Sequence, residues 1–117
     1  MSGAMSYHSG LAAEGQVAAQ YQARNHSVAA RRWRGASGEI DLILRQGALV
    51  VFVEVKRADN FARAAERLSR TQMQRIWNAA SEFLAGEPAG QDTDVRFDVA
   101  LVDGRGCIRI VENAISF

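Results

Sequence analysis

Apolar residues recur along this chain with two different periods. Leu11, Val17, Ala18 and Tyr21 fall on one side of a helix in an Ala-rich stretch, which predicts a helix over Ser9–Asn25 with Ser9 as its cap. Val28–Arg34 reads as a strand, punctuated afterwards by Gly35 and Gly38. Glu39–Arg45 and Ala48–Lys56 read as two further strands joined at Gln46-Gly47, a short turn with Gly where positive φ is needed. Ala58–Leu68 fits either a loop or a short helix. Ser69–Leu84 carries Met73, Ile76, Trp77, Ala80 and Leu84 at helical steps, so these are expected to face the core, Trp77 included. A loop around Pro88 leads to an apolar strand at Val95–Val102, and Gly104-Arg105-Gly106 turns the chain into a predicted edge strand at Cys107–Val111. The order α-β-β-β-α-β-β predicts an α/β domain, a mixed central β-sheet flanked by helices. At 117 residues the chain is one domain, expected at 10–117 behind a flexible leader at 1–9.

Strand alternation gives the pattern its chemical content. Glu39 and Asp41 share one face of their strand, and Ile40, Leu42 and Leu44 take the other. On the next strand Val50, Phe52, Glu54 and Lys56 share a face. A turn at Gln46-Gly47 pairs Arg45 with Ala48, which sets Asp41 and Glu54 on the same side as diagonal neighbours, about 7–8 Å apart at the backbone. A register slip of two would set them directly opposite, and a slip of one would separate them to opposite faces. Close carboxylates resist ionising together. A divalent cation removes that conflict, and Mg²⁺ needs only one or two carboxylates besides its waters. Such an ion activates water and polarises phosphoryl oxygen. The pattern therefore suggests metal-dependent hydrolysis of a phosphodiester, with Lys56 orienting or deprotonating the water or stabilising the charged transition state. A plain salt bridge between Glu54 and Lys56 on an exposed sheet face is the alternative.

Composition sharpens this picture. Of 14 basic residues 13 are Arg, and the one Lys is Lys56, two positions after Glu54. Arg stays charged and presents a planar fork, whereas Lys is a compact cation whose pKa can move. The net charge of +1 is uneven: residues 22–78 hold eleven basic residues against five acidic, and residues 79–117 hold three against seven. A basic middle suits a phosphate-rich partner, although a solvated, charge-laced surface also fits. The single Cys107 rules out an internal disulfide or a thiolate metal site. No apolar run is long enough to span a membrane, and the start lacks the pattern of a secretory signal, so a cytoplasmic protein without a membrane partner is expected.

Gly38-Glu39-Ile40-Asp41-Leu42-Ile43 followed by Val51-Phe52-Val53-Glu54-Val55-Lys56 resembles the core of the PD-(D/E)XK nuclease superfamily. With Gly10-Leu11-Ala12-Ala13-Glu14, the Arg32–Arg34 triplet and Arg96-Phe97-Asp98-Val99, the chain resembles more closely the YraN-like family of small bacterial proteins, similar to archaeal Holliday-junction resolvases. The resemblance covers about Gly10 to Phe117. It implies a restriction-endonuclease-like core and a Mg²⁺- or Mn²⁺-dependent endonuclease acting on DNA, with branched or flapped DNA as the resolvase-like substrate. It implies that Asp41 and Glu54 bind metal, that Glu14 completes the acidic cluster and that Lys56 is catalytic. The sequence departs from the pattern at Ile40, where the superfamily has Pro, and at Gln72, where the family commonly has Lys. Gln72 can still hydrogen-bond a phosphate or a water.

Other residues carry two readings each. Glu14, alone, reads as a solvated helix residue. Its small neighbours Ala13, Gly15 and Ala18 would let the helix approach the sheet. Glu39 fits an outer ligand or a partner of an Arg. Arg32, Trp33 and Arg34 fit nucleic-acid contacts with base stacking, or a Trp packed on the core between surface cations. Arg57 and Arg70, with Arg63 and Arg67, could track a phosphate backbone. Asp98 is expected to be structural, with Arg96 a candidate partner. Two other function classes remain beside the enzyme: a nucleic-acid-binding module with an idle site, and a protein-interaction subunit using the sheet edge at Cys107–Val111. A homodimer would suit a substrate with two scissile strands.

Overall fold

The computed structural model describes the backbone of residues 3–115 and the side chains of residues 12–115. Helix α1 (Gly3–Gln22) is followed by strands β1 (Ser27–Arg34), β2 (Glu39–Gln46) and β3 (Leu49–Arg57). Helices α2 (Phe61–Glu66) and α3 (Arg70–Leu84) come next, then a 3₁₀ turn at Gly90–Asp92 and strands β4 (Val95–Val102) and β5 (Ile108–Val111). The five strands form one sheet in chain order; β3 and β4 are parallel and the other pairs antiparallel. A parallel pair needs a crossover, and α2 and α3 supply it across one face of the sheet. Helix α1 covers the other. This is the α/β, restriction-endonuclease-like architecture expected, with β5 at an edge. The backbone ahead of Ser9, expected to be part of a leader, continues α1 from Gly3.

Helix starts follow side-chain chemistry. Ser69 Oγ accepts from the Gln72 N–H (3.1 Å) to cap α3, and Asn60 Oδ1 accepts from the Arg63 N–H (2.9 Å) to cap α2. The ambiguous stretch Ala58–Leu68 therefore holds a short helix between loops.

The sheet divides the core in two. Ile43, Val50, Phe52, Phe97, Val99 and Leu101 pack under α3 with Ile76, Ala79, Ala80 and Leu84. Leu42, Leu44, Val51, Val53, Ala100 and Val102 pack under α1 with Ala13, Val17, Ala18 and Tyr21. The alternation read for β3 holds throughout. Ile40, expected beside Leu42, belongs to the α3 side instead, opposite Trp33, where β1 is distorted by positive φ at Arg32. Trp77 is not core: it is 40% exposed and lies on the Phe97 ring, because small Ala79 and Ala80 carry the helix close to the sheet and leave the large ring at the margin.

One buried polar cluster ties the α1 side together. Asp98, fully buried on β4, accepts from Tyr21 Oη (2.8 Å), from Arg96 Nε and Nη2 (both 2.9 Å) and from the Asn113 N–H (3.0 Å). This bears out the structural role and the pairing with Arg96. Burial raises the Tyr21 pKa first, and the neighbouring Asp98 adds to it. Removing the carboxylate strands four donor groups. Asp98→Ala should lower stability by about 3 kcal/mol, measured by urea unfolding; a change within about 0.5 kcal/mol would show the cluster to be dispensable.

Candidate functional site

The site begins at the β2–β3 turn. Gln46 pairs with Leu49, so the two loop residues are Gly47 and Ala48 rather than Gln46 and Gly47. Gly47 has φ +59° and Ala48 is not left-handed, the pattern of a type II′ turn, which requires Gly at its first central position. The expected pairing of Arg45 with Ala48 is thereby corrected: Arg45 faces Val50 and Leu42 faces Val53. The ladder ends at Leu42 and Val53, and the next residue of each strand, Asp41 and Glu54, lines one and the same cleft. The shift is a slip of two from the expected register, and it leaves the two acids near enough for Asp41 to act on Glu54. There Asp41 Oδ2 accepts from the Val55 N–H (2.8 Å), a side-chain bond across the strands where the ladder ends.

Glu54 is 4% exposed, on the α3 side of the sheet. Its Oε2 accepts from Gln72 Nε2 (2.5 Å) at the first turn of α3, and Lys56 Nζ stands 3.5 Å away. Its Oε1 is buried and receives no hydrogen bond from a protein donor. The Glu54 pKa is pushed up to about 9, first by burial, then by the hydrogen bond and charge of Asp41, while Lys56 pulls it down. A buried carboxylate oxygen that meets no donor, beside a second acid, could supply oxygen ligands to a hard dication. Around it lies a cleft of about 430 Å³ lined by Gly38, Glu39, Asp41, Glu54, Ser69, Thr71, Gln72, Arg75 and Ile76.

The other expected residues are placed less uniformly. Glu14 is half-buried on α1 and does not line this cleft; burial raises its pKa most, and the charge of Asp41 next, so the two acids sense each other. Among the described residues, no group of three or more His, Cys, Asp and Glu side chains converges as a metal site. Glu39 is a partner of arginines: Arg34 Nη2 lies 3.2 Å and Arg32 Nε 3.5 Å from its carboxylate. The Trp33 ring packs edge-on against Phe83 of α3, centroids 5.5 Å apart, the packing alternative of its two readings. Arg57 and Arg70 are exposed, at the end of β3 and the start of α3.

Sequence reasoning missed Ser69, Thr71 and Arg75, which stand with Gln72 on the first turns of α3; the cap at Ser69 was the legible signal. It also missed Glu82, whose carboxylate accepts from the Ala36 (3.1 Å) and Ser37 (3.2 Å) N–H groups and pins the loop before Gly38 and Glu39 to α3. No sequence pattern marks that contact. A Cβ on Gly35 would come within 2.4 Å of the Glu82 carboxylate, which is why the loop has Gly there.

Residues 13–102 match the uncharacterised protein family UPF0102. A UPF0102 protein of Cereibacter sphaeroides (strain KD131) is 62% identical over 99% of both chains. One of Roseobacter denitrificans is 54% identical over 97% of this chain and 88% of its own, and one of Ruegeria pomeroyi is 57% identical over 96% and 91%. The chain belongs to the UPF0102 family. The YraN-like resemblance read from its motifs is the same assignment. Among the described residues, no helix is long and apolar enough to cross a membrane.

Glu54 also sets a pH signature. Its folded-state pKa lies above the ordinary carboxylate value, so over the range between them the unfolded chain has released a proton that the folded chain keeps. The folded state binds more protons there, and stability falls as pH rises. In chelator, thermal stability should decline from pH 5 towards pH 9 more steeply in the wild type than in Glu54→Gln. Parallel profiles in the two proteins would show that Glu54 ionises normally.

Proposed function

We propose that this UPF0102 protein is a metal-dependent endonuclease that hydrolyses phosphodiester bonds of DNA, with branched or flapped DNA as its substrate. The observation that carries this reading is the pairing of Asp41 and Glu54 around an orphaned carboxylate oxygen, with the chain's only lysine 3.5 Å from the same carboxylate. Asp41 and Glu54 would hold Mg²⁺ or Mn²⁺, with Glu14 close enough to add to the negative field. When bound, the ion supplies a lowered pKa for water and a Lewis acid for phosphoryl oxygen.

The chain's own groups do the remaining work. Val55 N–H fixes the Asp41 carboxylate, and Gln72 fixes one oxygen of Glu54 so that the other points where no protein donor waits. Lys56, mostly buried at its side chain, is held against Glu54 and can orient the attacking water or offset charge on the phosphorane. Ser69, Thr71 and Arg75 line the remaining wall and can donate to phosphate oxygens. Gln72 favours one competing reading, a nucleic-acid-binding module with an idle site, because its neutral amide stands where the family commonly has a cation and is already bonded to Glu54.

Calorimetric titration of Mn²⁺ should show one saturable site in the wild type and none in Asp41→Ala. With Mg²⁺, the wild type should nick flap or four-way DNA, and Asp41→Ala and Lys56→Met should fall by about 100-fold or more while unfolding at unchanged temperature. Metal binding without cleavage of any duplex, single-stranded, flap or four-way substrate would favour the idle-site reading; no metal binding at all would end the enzymatic one.

A further inference from the structure

A second surface hollow adjoins the acidic cleft through Lys56. It measures about 480 Å³ and is lined by Val55, Lys56, Arg57, Ala58, Asp59, Arg67 and Gly104. Lys56 links the two: it lines the hollow, and its ammonium stands 3.5 Å from Glu54, which lines the cleft. A smaller hollow of about 250 Å³ shares Arg57 and Gly104 and adds Arg105 from the β4–β5 turn and Gln16 from α1. Together they make a path over the C-terminal ends of β3 and β4.

The charge along this path is net positive, with Lys56, Arg57, Arg67 and Arg105 against Asp59 and Asp103. Among the described residues, Arg57, Arg67 and Arg105 carry no ion pair, and all three are exposed. The acids nearby are otherwise engaged. Asp59 lies 4.0 Å from Arg63, and Asp103 accepts the Arg105 and Cys107 N–H groups within its own turn. The floor is held by backbone: Ala58 N–H donates to Val102 O (3.1 Å) and Gly104 N–H to Asp59 O (3.2 Å), so the exits of β3 and β4 are tied together and the cations are carried on a fixed frame. The basic ridge on β1 differs, because Arg32 and Arg34 are both committed to Glu39.

We infer that Arg57 and Arg67 form a subsite for the phosphate next to the scissile one, so that the substrate strand leaves the acidic cleft past Lys56 over the ends of β3 and β4, towards Arg105, and not along β1. This inference rests on the endonuclease reading for the identity of the strand. Phosphate contacts of this kind place the backbone without reading bases, and each releases counterions, so they show in the salt dependence of binding.

The test is fluorescence anisotropy of the full chain with labelled flap DNA in chelator, over roughly 50–200 mM salt. Arg57→Gln/Arg67→Gln should weaken binding about tenfold or more and lower the slope of log affinity against log salt by about two. Arg57→Lys/Arg67→Lys, which keeps both charges, should hold the slope, and Arg24→Gln, which lines neither hollow, should leave affinity within about twofold. Arg32→Gln/Arg34→Gln should weaken binding less than the Arg57/Arg67 glutamine pair does. An Arg57/Arg67 glutamine pair that binds like the wild type, or a larger loss from the β1 pair, overturns the path while the Mn²⁺ titration of Asp41 still stands on its own. A wild type that binds no DNA at the lowest salt overturns both.

Discussion

The site depends on a two-residue turn. Gly47 takes the positive φ that a type II′ turn demands at its first position, and this choice sets Leu42 against Val53, with Asp41 and Glu54 next along their strands. A shift of one residue would send one acid to the α1 side of the sheet, into the cluster of Leu42, Leu44, Val51 and Val53. The apolar residues enforce the same register from both sides. Ile43 and Phe52 must face α3, and Leu44 and Val51 must face α1, or neither core closes. Packing and turn chemistry therefore agree on one register, and that register brings two acids together.

Forcing carboxylates together opposes folding, and the surrounding groups offset it only in part. Asp41 receives the Val55 N–H, and Glu54 receives Gln72 and the nearby Lys56, but one Glu54 oxygen is left buried without a donor. Such local violations of polar satisfaction concentrate where a protein binds or reacts. Among the described residues, His26 Nε2 is also buried without a partner, but the buried acid of β4 is not. Asp98, buried more deeply than Glu54, has its oxygens bonded by a phenol, a guanidinium and a backbone N–H. Two buried acids in one sheet thus differ in kind: the one on the α1 face is saturated and holds layers together, and the one on the α3 face is kept open.

Charge placement extends the same division. On β1 Arg32 and Arg34 share Glu39 as an ion-pair partner, a residue that a reading of the sequence left balanced between metal and arginine. Among the described residues, Arg57, Arg67 and Arg105 around the ends of β3 and β4 have no ion-pair partner. Formal charge counted along the chain makes both regions basic; ion pairing leaves the second as the more strongly attractive surface for an anion.

Much of this was legible in the sequence because it depends on local periodicity. The strands at Glu39–Gln46, Leu49–Arg57 and Val95–Val102, the capped helix after Ser69 and the shared face of Glu54 and Lys56 all follow from residues within a few positions of one another. Residue chemistry also singled out Lys56 among arginines. What required the folded chain was contact between distant segments. The turn's phase differed by one residue because Gly47 serves either central position of a tight turn, and only the packed core on both faces decides between them. Glu82 meeting the Gly35 loop, Gln72 meeting Glu54, Glu39 pairing with two arginines and Trp77 displaced to the margin are all settled by how α3 lies on the sheet, a three-dimensional fit that periodicity along one chain does not encode.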